Sequence, residues 1–180
     1  LSSAASDVYK RQSSNSSRIL DRFLAINSSN DPAYVAAKGF MDSKGVQSVT
    51  DALNNEFAGI VAEKYYKAVK EAVMKVDDKL LYLGTRLHGT PKYMEGVMRA
   101  AGKYCDVISI NYYSRWSPEL TTAIADWASW ADKPFLVSEF YTKGVEDSDL
   151  NNQSGAGYSV PTQNERAYAC LLYTSDAADD

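Results

Sequence analysis

Glu139 ends the apolar run Phe135-Leu136-Val137-Ser138, so its carboxylate stands where a buried strand opens into a loop. A charge in such a place is costly unless partners hold it. A carboxylate fixed there can attack an electrophilic carbon or move a proton. Glycosidic bond cleavage is one such chemistry, because it needs a carboxylate held beside the anomeric carbon, and a strand end holds it better than a loop does. The neighbouring candidates carry groups that suit a sugar. Asn111, Tyr112 and Tyr113 follow the run Val107–Ile110, where a tyrosine hydroxyl can donate to the carboxylate while its ring packs under a sugar. Arg86 and His88, in Thr-Arg-Leu-His-Gly after Leu80–Leu83, can bond hydroxyls or the carboxylate. Trp116 offers a ring for a pyranose face. Tyr141 and Lys143 follow Glu139 and open the polar, glycine-containing segment Tyr141–Val160, which has the profile of a functional loop; Asn152 and Tyr158 lie in the same segment.

Each candidate also has a plainer reading. Glu139 could cap the next helix or pair with Arg86; Tyr112 and Tyr113 could plug a core; His88 could simply pack. Trp127 and Trp130 fall on a helical stretch, where core packing is expected. Asn54-Asn55-Glu56 resembles a catalytic Asn-Glu pair, but it sits inside a long helical pattern, where a solvated position near the helix N-terminus is the better reading. Ser154-Gly155-Ala156-Gly157 lacks the lysine and spacing of a phosphate cradle. With one histidine and no clustered carboxylates, a zinc site or a metal-dependent lyase or isomerase is disfavoured, and no cofactor is expected.

The elements that must position these residues read as an α/β chain. Ile19, Leu20, Phe23 and Leu24 recur at helical spacing, and Asp31-Pro32 supplies an N-cap and first-turn proline for a second helix reaching Met41. A long helix runs from Thr50 or Asp51 to Val76, with Leu53, Phe57, Ile60, Val61, Tyr65, Val69 and Val73 on one stripe. There follow a strand Leu80–Leu83, a helix Pro91–Tyr104, a strand Val107–Ile110, a helix Pro118–Ala131 and a strand Phe135–Val137. The continuous apolar strands predict a parallel sheet covered on both faces, whose functional residues collect at the strands' carboxyl ends. The net charge of -4 is scattered, without the basic patch of a nucleic-acid binder or the apolar length of a membrane span, so neither partner is expected.

The two ends are unlike the rest. A single DNA sequence can encode Ser2–Gln12 on one strand and, one base out of frame on the other, Cys170–Asp180, which resembles a sequencing adaptor translated in both orientations. Residues 1–12 and 170–180 are therefore expected to be artefactual, leaving 13–169 as the biological part, with Cys105 as its one cysteine and no disulfide framework.

Tyr-Leu-Gly-Thr-Arg-Leu-His-Gly (82–89), Cys-Asp-Val-Ile-Ser-Ile-Asn-Tyr-Tyr (105–113), Lys-Pro-Phe-Leu-Val-Ser-Glu-Phe-Tyr-Thr-Lys-Gly (133–144) and Ser-Gly-Ala-Gly-Tyr-Ser-Val-Pro-Thr-Gln-Asn-Glu-Arg (154–166) together resemble agarase-like retaining glycoside hydrolases of the (β/α)8-barrel clan. The resemblance implies a partial TIM barrel comprising about strands five to seven, with Glu139 as the nucleophile ending strand seven and Asn111-Tyr112 as the feature ending strand six. It implies an acid/base Glu shortly before the stretch matching Ile19–Pro32, where this sequence has Ser-Ser-Asn-Ser-Ser-Arg (13–18), and an eighth strand beyond Ala169. The acid/base is thus expected outside this chain, and the isolated chain is expected to be inactive. The implied partner is a polysaccharide, with galactans of the agarose or porphyran type foremost, and a secreted or periplasmic setting fits the family. The competing reading is a non-catalytic carbohydrate-binding relative of the barrel.

Overall fold

The computed structural model describes residues 18–114, 122–146 and 157–175. Trp116, Asn152 and the adaptor-like segment 1–12 lie outside the described residues. In chain order the elements are α1 (Ile19–Leu24), α2 (Pro32–Lys44), α3 (Asp51–Met74), a 3₁₀ turn (Thr90–Tyr93), α4 (Glu95–Tyr104), β1 (Ile108–Asn111), α5 (Thr122–Ala131), β2 (Phe135–Glu139), β3 (Thr142–Gly144), β4 (Tyr158–Val160) and α6 (Gln163–Ser175). β1 pairs with β2 and β3 with β4, both in parallel, so the described chain is a mixed α/β structure with two small sheets. Neither sheet closes into a barrel among the described residues.

The helices begin where side chains can satisfy their first amides. Asp31 accepts from Ala33 N at 2.8 Å and Thr50 from Leu53 N at 3.2 Å, while Gly45 ends α2 in the left-handed conformation. The buried face of α3 is Phe57, Ala58, Gly59, Ala62 and Tyr66, with Leu53, Val61, Tyr65 and Val69 partly buried against it. Ile60, expected on that face, is 40% exposed. The face is turned toward the small residues because α3 and α4 meet where Gly59 faces Gly96: a Cβ on Gly59 would lie 2.9 Å from the Gly96 backbone. Close backbone approach, rather than large side chains, sets this contact.

Asn54, Asn55 and Glu56 all have structural tasks. Asn54 Oδ1 accepts from Leu20 N at 3.2 Å, Asn55 Oδ1 accepts from Gly96 N at 2.9 Å, and Glu56 pairs with Lys44 at 2.6 Å on the surface. This triplet ties α1, α2 and α4 to α3.

Three further sequence expectations need correction. Leu80–Leu83 does not form a strand: Leu80 and Leu81 are exposed and Gly84, at φ +67°, kinks the backbone there. The segment does run beside β1, held by Asp106 N donating to Tyr82 O at 2.8 Å, and reaches ladder geometry at Leu87, which bridges Ile110 in parallel. The helix expected from Pro91 begins instead as a 3₁₀ turn, and Met94, in extended conformation, separates it from α4. The expected strands were to be covered on both faces. β1 is buried throughout, but β2 alternates, and Leu136 is 45% exposed.

β3, β4 and α6 were not anticipated. The strands are three residues each, too short for a periodic signal, and they replace the ends of the expected loop Tyr141–Val160. α6 does carry a signal, because Thr162 and Glu165 form a capping box: Glu165 N donates to Thr162 Oγ1 at 3.2 Å and Thr162 N to Glu165 Oε2 at 2.9 Å. The helix continues past Cys170 to Ser175, into the adaptor-like segment 170–180.

Candidate active site

The carboxyl ends of β1 and β2 lie side by side because the strands are parallel and in register, with Asn111 opposite Glu139 after an irregularity at Ile110/Asn111. That irregularity advances Asn111 to meet Glu139 rather than Ser138. Tyr112 N then donates to Glu139 O at 2.9 Å, fixing the backbone from which the carboxylate projects. On the other side, Leu87 brings Arg86 alongside: Leu87 N donates to Ser109 O at 2.9 Å and Asn111 N to Leu87 O at 2.8 Å. The preceding residue, Thr85, is buried and its hydroxyl shares a 3.1 Å hydrogen bond with Tyr66.

The result is an ion pair. Arg86 Nη2 lies 2.8 Å from Glu139 Oε2, with the carboxylate side chain 35% exposed and open to a ligand. Arg86 can orient the carboxylate, yet a largely exposed pair of this kind contributes only about 0–1 kcal/mol to folding. One layer below, the hydroxyls of Ser109 and Ser138 are 2.5 Å apart. Asn111 is buried, and its Oδ1 has no hydrogen-bond partner among the described residues. A buried acceptor left in that state costs free energy that a ligand donor can recover.

His88 and Tyr113 meet edge to face, their centroids 5.6 Å apart, and both are half-buried. Tyr112 is buried against Trp127, which is itself enclosed by Tyr93 and Phe135. Burial pushes the Tyr112 hydroxyl above its ordinary range, with Tyr93 adding to the shift and a hydrogen bond with Ser114 opposing it. Tyr112 therefore remains a proton donor across the neutral range. Tyr141 is exposed just beyond Glu139, whereas Lys143 is buried in β3 opposite Ser159 of β4. The structure thus gathers Arg86, Asn111, Tyr112 and Glu139 through direct hydrogen bonds and backbone pairing, and sets His88 against Tyr113. Lys143 belongs to a second sheet instead of a solvent-facing loop.

Sequence reading passed over Lys92. Its ammonium is buried, donates to Asn111 O at 2.7 Å, and lies 5.2, 5.5 and 5.8 Å from the ring centroids of Tyr93, Tyr112 and Trp127. Burial lowers its pKa. Nothing in Thr-Pro-Lys-Tyr distinguishes it from a surface lysine. A separate groove of about 380 Å³ is lined by Lys67, Lys70, Glu71, Met74, Lys75 and Tyr104, none of them a candidate site residue.

No protein-family model and no curated protein matches the chain. Among solved structures, BpGH50 matches with 57% identity and a TM-score of 0.76 over 84% of this chain and 34% of its own. The chain is agarase-like. An exo-beta-agarase matches the agarase-like chain with 28% identity and a TM-score of 0.58 over 74% of this chain and 18% of its own. An agarase, AgWH50C, matches at 23% identity with a TM-score of 0.64, over 88% of this chain and 23% of that protein, and supports the fold alone. The agarase-like chain therefore spans about a third of BpGH50 and less of the other two.

Proposed function

We propose that this chain is the nucleophile-bearing part of a retaining glycoside hydrolase that acts on an agarose-type galactan. Glu139 is the nucleophile. The observation that carries this reading is the placement of its accessible carboxylate at a parallel strand's carboxyl end, paired with Arg86 and set opposite the buried Asn111. The similarity to an exo-beta-agarase supplies the substrate class.

In this mechanism Glu139 attacks the anomeric carbon as a second carboxylic acid protonates the leaving oxygen. The covalent glycosyl-enzyme is then hydrolysed by water, which the second group, now a base, activates. Arg86 aims the nucleophile, Asn111 and Tyr112 supply hydrogen bonds toward the substrate or the carboxylate, Tyr113, His88 and Tyr141 meet the sugar, and Trp116 keeps its expected role as a stacking ring. Lys143, buried in β3, is assigned a substrate-orienting role from the second sheet. No metal or cofactor takes part.

Retention requires the two carboxyl groups about 5–5.5 Å apart. In our reading the acid/base lies in the part of the barrel that this sequence does not span, and residues 13–169 are the biological part, contributing about strands five to seven. The 180-residue chain alone is then inactive. The test is a chimera in which residues 13–169 replace the matching segment of BpGH50. Agarose hydrolysis by the chimera, abolished in its Glu139→Gln variant, supports the reading; undiminished hydrolysis in that variant refutes it.

A further inference from the structure

Lys92 and Glu139 meet through one peptide group. The carbonyl of Asn111 accepts from Lys92 Nζ at 2.7 Å, and the amide of the same peptide, Tyr112 N–H, donates to Glu139 O at 2.9 Å. A buried lysine is rare because desolvating an ammonium is expensive, and it persists where its surroundings compensate. Here the compensation comes from a charge-assisted hydrogen bond and from three aromatic faces, those of Tyr93, Tyr112 and Trp127.

The location of this investment is informative. The peptide it grips follows the irregularity at Ile110/Asn111, the point where β1 leaves regular pairing so that Asn111 stands opposite Glu139. At such a point the ladder alone does not fix the peptide plane. The ammonium fixes it from one end, and polarises the carbonyl so that the amide at the other end is a stronger donor to Glu139 O. The same ammonium lies over the Tyr112 ring, so one buried charge sets the plane of the peptide and one wall of the ring beside it.

We propose that Lys92 is a positioning residue, which acts on Glu139 through the Asn111–Tyr112 peptide without touching substrate. Its consequence for catalysis rests on the nucleophile reading above; its structural content does not, so the two can fail separately.

Amide hydrogen exchange on the full 180-residue chain tests the structural content without any sugar. In Lys92→Met, Tyr112 N–H exchanges about tenfold faster or more, as expected when a hydrogen bond to a charged group is lost. Ile108 N–H, which bonds Pro134 O, keeps its protection, and Lys92→Arg restores that of Tyr112. Unchanged Tyr112 exchange in Lys92→Met overturns the proposal. So does uniform acceleration of all sheet amides that Arg fails to restore, since that marks Lys92 as generic core. If Lys92→Met does not fold, reductive methylation of the native chain decides: Lys92 resists while the exposed Lys38 and Lys67 react, and equal modification overturns the proposal.

Discussion

Arg86 Nη2 and Glu139 Oε2 stand 2.8 Å apart although their residues lie on separate segments, joined across the buried strand β1. Leu87 N donates to Ser109 O and Leu87 O accepts from Asn111 N, which brings one side in, and Tyr112 N anchors the other through Glu139 O. The pair is a product of the sheet, and its exposure gives it little weight in folding.

Arg86→Met should therefore leave stability nearly intact, lowering it by less than about 1 kcal/mol, as for exposed ion pairs. Urea unfolding measures this. A loss of several kcal/mol would instead make the pair a structural clamp and favour the plainer reading of Glu139.

The thiol of Cys105 is pushed up to about 12 from 9.0, chiefly by burial. The folded chain should hold this thiol unreactive toward a disulfide reagent at pH 8, with rapid reaction on unfolding. A Cys170→Ser background isolates the signal. Because the folded pKa is raised above the unfolded one, the associated stability is fully present below about pH 9 and is lost as pH rises toward 12. Urea midpoints across that range should fall.

Gly102 in α4 faces Ala131 of α5 so closely that a Cβ would lie 2.0 Å from Ala131 O. Gly102→Ala should force the helices apart and destabilise by about 2 kcal/mol or more, within the range for overpacking. Thermal unfolding reads the loss. Gly39→Ala, which meets nothing within 4 Å, serves as the control and should be neutral or mildly stabilising.

Much of this arrangement was legible from residue order. The cap at Asp31-Pro32, the long α3 and the β1–α5–β2 unit follow from spacing, and Arg86, Asn111 and Glu139 lie together because parallel strands place their carboxyl ends side by side. The rest depended on contacts that one-dimensional patterns do not encode. Ile60 was misassigned because Gly59 and Gly96, without side chains, decide which face of α3 is buried. Gly84 broke an apolar run that composition alone reads as a strand. Lys92 was invisible because burial of a lysine is set by Tyr93, Tyr112 and Trp127, which are near it in space and mostly distant in sequence.

The central claim is that Glu139 is the nucleophile, and covalent trapping tests it most directly. The BpGH50 chimera carrying residues 13–169 would be incubated with a 2-deoxy-2-fluoro-β-galactosyl fluoride, digested, and mapped by mass spectrometry. The account predicts one added fluoroglycosyl group, on the peptide containing Glu139 and on that residue, absent from the Glu139→Gln variant. Labelling of a different carboxylate, with Glu139 unmodified, would contradict it.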